Sequence, residues 1–149
     1  MTIAIDMSQL VTAEARASAA LADAKSVAKQ AIAAQMTAAR EAFVTVLPGQ
    51  DMVYLAKEAE ATAYLADADP DIAHYPLLSA EVGVTAPSAY ELAQIWVNMS
   101  SIWRGAAASL EKIRLMAVDA IEVATSVDEV SAAMADFNAA LSNGGDNAA

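Results

Sequence analysis

Enzymatic chemistry needs a nucleophile, a proton-transfer group or a set of metal ligands, and this chain of 149 residues supplies few of them. It has one histidine, His74, and no cysteine. The absence of cysteine excludes disulfides, thiolate metal sites and thiol catalysis together, and leaves the redox compartment open. A transition-metal site at His74 would rest on carboxylates, and no helical pair of Glu or Asp faces it. Its place in a loop before Tyr75-Pro76 reads as that of a solvated or capping side chain. Asp67-Ala68-Asp69-Pro70-Asp71 has the alternating acids that begin a calcium loop. An EF-hand then needs glycine after the third acid and a closing glutamate, and Ile72 and Leu78 stand there instead. Ser79, Ser88 and Ser109 have no histidine or lysine at recognisable spacing, and there is no glycine-rich phosphate loop. Glu58 with Glu60, or Glu111 with Glu122, could in principle work as acid and base, but nothing in the sequence sets them in a cleft. The expectation is a protein without catalytic residues, metal ligands or cofactor, and not an enzyme.

Composition narrows the class. Hydrophobic residues make up 57% of the chain but aromatics only 5%, because alanine supplies much of the apolar content. Strong helix formers dominate and β-branched runs are scarce, so the expected class is all-α. Eight basic against nineteen acidic residues give a net charge of −11. A nucleic-acid binder needs a basic stripe to displace counterions, and none exists here. Anionic membrane surfaces are disfavoured for the same reason. The uncharged stretch from Leu92 to Trp103 is too short for a membrane span. Met1 to Asp6 has neither the basic residue nor the apolar run of a signal peptide.

The elements that would position any site begin with a long alanine-rich stretch, Leu10 to Val46, free of proline and glycine. As a helix it is roughly 50 Å long, more than a small domain needs to cover a core. Leu10, Ala13, Ala17, Ala20, Ala24, Ala28, Ala31, Ala38 and Ala42 then share one face, with Gln35 its only polar member. Heptad spacing relates Leu10, Ala17, Ala24, Ala31 and Ala38, with Leu21, Ala28, Gln35 and Ala42 on the second seam position. These residues are the candidate oligomer interface of a coiled-coil-like rod, Gln35 forming a polar layer that fixes register. Before it, Thr2 to Asp6 alternates like a short strand, and Asp6 or Ser8 can cap the helix.

Pro48 and Gly49 break the chain. A second helix is expected over Met52 to Ala66, then a short one opened by Tyr75-Pro76 and ended by Gly83. Ser88 to Glu91 and Ser126 to Glu129 have capping-box spacing, opening a long helix from Ala89 to about Ala124 and a last one to about Leu141. The expected buried face of the long helix is Leu92, Ile95, Met99, Ile102, Trp103, Ala106, Leu110, Ile113, Ala117, Ala120 and Ile121. Trp96 and Arg114, on one edge, form a candidate partner-binding edge or a cation–π pair within the chain. The expected organisation is an arm and oligomerisation helix over 1–47, a compact helical bundle over 48–141 and a disordered tail over 142–149.

With these elements in view, Tyr54-x-x-Lys57-x-x-Glu60-Ala61-x-x-Tyr64, Tyr75-Pro76-Leu77-Leu78-x-Ala80-Glu81-x-Gly83, a long helix with Trp103, Glu111 and Arg114, and the Ala124-Thr125 turn form a series. The series resembles a segment of small structural proteins of tailed bacteriophages, often associated with tail fibres, over roughly 38–141. The resemblance implies a virion component repeated about a symmetry axis, a homotrimer if it belongs to a fibre, bound to other phage tail or virion proteins. It offers no catalytic residues. A fibre-assembly factor and a capsid or head-fibre decoration protein are alternatives that use the same physics. A small acidic cytoplasmic adaptor is another, and predicts a monomer with its two long helices packed on each other.

Overall fold

The computed structural model describes residues 12–42 and 49–146. The strand-like segment, Leu10, and the caps proposed at Asp6 and Ser8 lie outside the described residues. Those described form an all-α protein: α1 (Ala13–Glu41), α2 (Gln50–Ala66), a 3-10 turn (Ile72–His74), α3 (Pro76–Glu81), α4 (Ala89–Val123) and α5 (Val127–Asp146). A lone bridge between Val82 and Ala86 is the only extended pairing among them.

Local chemistry sets the helix ends. Thr12 starts α1, its Oγ1 accepting from the Ala15 N–H at 3.0 Å. Pro76 sits in the first turn of α3, where its missing N–H costs nothing. Gly83 (φ +84°) makes the left-handed turn after α3, and its N–H donates to the Ala86 carbonyl at 2.8 Å. Ser88 Oγ accepts from the Glu91 N–H and Ser126 Oγ from the Glu129 N–H, both at 3.2 Å, at the two expected capping boxes. The last helix outruns its expected end at Leu141. It continues through Ser142 to Asp146, because extending an existing helix adds one hydrogen bond per residue fixed, and each glycine costs only about 1 kcal/mol.

Contacts divide the chain into two compact units, not at residue 47 but elsewhere. One unit is contiguous, Ala38–Ser109, and the other joins residues 12–37 to residues 110–146. In the contiguous unit the core is Ala61, Leu78, Ala86, Leu92, Ala93 and Trp96, with Tyr64, Leu65, Tyr75, Leu77, Val82 and Val97 packed against it. Tyr64 and Tyr75 meet edge to face, ring centres 5.2 Å apart. In the second unit Ala28, Ile32 and Met36 are the buried residues of α1, and Leu110, Ala117, Ile121, Ala124, Val130 and Phe137 are buried in the segment after it.

The buried stripe of α1 is thus rotated from the alanine face expected of it. Ile32 and Met36, absent from that face, are each 1% exposed, while Ala13, Ala17, Ala20, Ala38 and Ala42 are exposed. Covering a large side chain removes far more apolar area from water than covering a methyl group, so Ile32 and Met36 set the orientation. The expected face of α4 holds where Leu92, Leu110, Ala117 and Ile121 are buried. It fails at Ile95, Met99 and Ile102, which are 41%, 61% and 58% exposed.

Candidate functional site

Several of the residues singled out for chemistry bond to the backbone. Asp67 Oδ1 accepts from the Asp69 N–H at 3.1 Å and Asp71 Oδ1 from the Ala73 N–H at 3.0 Å, so two of the three alternating acids shape the turn. Asp67 also accepts from the Tyr75 hydroxyl at 3.2 Å. Burial and this carboxylate together push the Tyr75 phenol above its ordinary value. His74 is exposed and ends the 3-10 turn, its backbone N–H donating to the Asp71 carbonyl at 3.0 Å. Among the described residues no group of three or more His, Asp or Glu side chains is placed to hold a metal ion.

The four glutamates are engaged as well. Glu58 pairs with Arg104. Glu60 Oε2 accepts from the backbone N–H groups of Leu77, at 2.9 Å, and Leu78, at 3.1 Å, and so caps α3 from a different helix. Sequence reasoning missed this role, although a signal existed. Tyr75 offers no side-chain cap to a helix whose first turn must satisfy its N–H groups, so an acceptor had to come from elsewhere. Glu111 holds Arg114 with two bonds, at 3.0 and 2.6 Å, and keeps its guanidinium protonated beyond the usual range.

In the split unit, Lys29 pairs with Glu122, and Lys25 Nζ donates to the Glu122 carbonyl at 2.8 Å. These bonds tie α1 to α4. The bond from Lys29 holds the Glu122 carboxyl below its ordinary value of 4.5. Glu129 is lowered likewise, chiefly because the Thr125 N–H donates to it at 2.6 Å. A carboxylate whose folded pKa is depressed contributes stability that is fully present above its unfolded value and is lost as pH falls through the folded pKa. The advantage of the native protein over Glu129→Gln in thermal midpoint is therefore expected at neutral pH and should vanish on acidification below pH 4.5. Scanning both proteins from pH ~7 to ~3 checks this, and a constant difference would contradict it.

The proposed interface residues divide. Ala28 is buried within the chain itself, Leu21, Ala24, Ala31 and Gln35 are half-buried, and Ala17, Ala38 and Ala42 are exposed. Gln35 lies at the margin of the covered face and not in an open seam. The partner edge does not form as expected either. Trp96 is only 8% exposed, and Lys57, not Arg114, places its ammonium 4.8 Å from the indole centre. Lys57 is held there by Glu81.

What the chain does offer a partner is apolar surface. Met52 and Leu55 on α2 are 71% and 69% exposed, and Ile95, Met99 and Ile102 open one flank of α4. Beside that flank lies a shallow depression lined by Thr85, Pro87, Glu91, Gln94, Ile95 and Asn98. Contiguous exposed apolar patches occur at protein-interaction faces, ligand grooves and membrane-facing surfaces alike. Comparison with family models, with curated proteins and with solved structures returned no match.

Proposed function

We propose that this chain is a structural protein of a tailed-phage particle, tail-fibre or tail-associated, which works by binding copies of itself and neighbouring virion proteins. The observation that supports the reading is the open apolar flank of α4 on a strongly acidic chain. Such a flank can bury area against another helix, while Asp67, Asp71 and Glu60 are engaged in holding turns and a helix end. Recognition is then by shape and apolar contact, without a reaction. The alternatives within the same class are a fibre-assembly factor and a decoration protein of the head. Purified particles test the reading. Stoichiometric amounts of the chain are expected in them, and its absence from finished particles would move the assignment to the assembly factor.

One observation favours a second class. The bonds from Lys25 and Lys29 to Glu122 link the two long helices within one chain, as a monomeric acidic adaptor requires. Under that reading the open flank binds an unrelated partner, and particles do not contain the chain.

A further inference from the structure

We propose that two copies of this chain pair through the open flank of α4, with the two helices antiparallel. The inference rests on the self-association in the reading above and moves it from the alanine-rich α1 to α4. Glu91, Ile95, Asn98, Ile102, Gly105 and Ser109 follow the four-and-three spacing of a coiled-coil seam, and all six are exposed. This seam lies within one compact unit.

Gly105 is the residue the chain's own packing does not explain. It lies inside a 35-residue helix, where glycine costs about 1 kcal/mol against alanine. It does not adopt a left-handed conformation, and a Cβ added to it would meet nothing within 4 Å. Among the described residues no neighbour demands the missing side chain. A second helix approaching closely would.

The seam is self-complementary in one direction. Antiparallel pairing about Ser100 sets Ile95 of each copy against Gly105 of the other and Ile102 against Asn98. A large side chain then fills the place where one is missing. The only charge on the seam is Glu91. Parallel helices would bring the two Glu91 carboxylates together, whereas the antiparallel pair holds them about 27 Å apart and beside Ser109 of the other copy. Met99, exposed on the margin, extends the apolar contact. A seam of under three heptads buries less than the ~800 Å² per partner of a standard interface, so the dimer is weak and concentration-dependent. Each copy carries a net charge of −11, and the resulting repulsion is screened by salt, so pairing strengthens as ionic strength rises.

The lack of native cysteine makes the test direct. Ile95→Cys and Gly105→Cys chains are mixed and mildly oxidised, with circular dichroism confirming that both fold. The mixture should yield a disulfide-linked dimer. Neither variant alone should, because like positions lie about 15 Å apart along the paired helices, too far for a disulfide. Sedimentation equilibrium of the unmodified chain should show a dimer that tightens with salt and weakens at least ~30-fold in Ile102→Glu. Efficient cross-linking of either variant with itself, no cross-link in the mixture, or an unmodified chain that stays monomeric would overturn the proposal. Particle content separates this from the function proposed above. A monomer found stoichiometrically in virions removes only the α4 contact, and a dimer missing from virions removes only the virion role.

Discussion

Replacing Leu78 with alanine should destabilise the contiguous unit by about 4 kcal/mol, in the upper half of the range for buried leucines. Leu78 is 0% exposed in a core that includes Ala61, Ala86, Leu92, Ala93 and Trp96. Three of the five other buried residues of that core are alanines, whose side chains have no rotamers with which to refill the space. The cavity therefore persists, and its volume adds to the lost transfer energy. Urea unfolding followed by the fluorescence of Trp96 and Trp103 measures the effect. A loss below about 1 kcal/mol would mean that the helices close over the gap and that the core is softer than its geometry indicates.

Ile32→Ala should cost about 3 kcal/mol, while Ala17→Gln on the same helix should change stability by no more than about 0.5 kcal/mol. Ile32 is 1% exposed and Ala17 is exposed. The pair separates two ideas about α1. If its alanines formed the principal contact of the protein, the bulkier side chain of Ala17→Gln would disturb assembly, and Ile32→Ala would be the milder change. Denaturation midpoints of the two variants, measured at equal protein concentration, decide between them.

The difference between the sequence pattern and the structure lies in this same helix. Proline, glycine and capping residues act over a few neighbours, so the ends of α3 and the starts of α4 and α5 were legible from Pro76, Gly83, Ser88 and Ser126. Counting alanines on α1 weighted residues equally that contribute unequally. Ile32 and Met36 mark the face that turns inward, and eight alanines outvoted them. On α4 the apolar stripe was continuous, but periodicity reports only that a face is apolar and not how far another element covers it. Ile95, Met99 and Ile102 belong to the stripe and remain in the open. At α3 the sequence signalled a missing cap but not that Glu60 supplies it. Its partners, the N–H groups of Leu77 and Leu78, are 17 and 18 residues away, beyond any local pattern. The candidate surface was legible as composition and illegible as exposure.

The division of the chain into one contiguous unit and one split unit sets the order in which the protein is born. Residues 38–109 can find all their partners as soon as Ser109 has left the ribosome. Residues 12–37 emerge before that unit and yet must wait for 110–146, which emerge after it. At ~5–20 residues per second, α1 spends several seconds as a helix without its partners. Its composition suits that interval. Ala-rich segments keep helicity without tertiary support better than most. Translation thus completes the contiguous unit before the alanine helix meets the C-terminal half of α4 and α5.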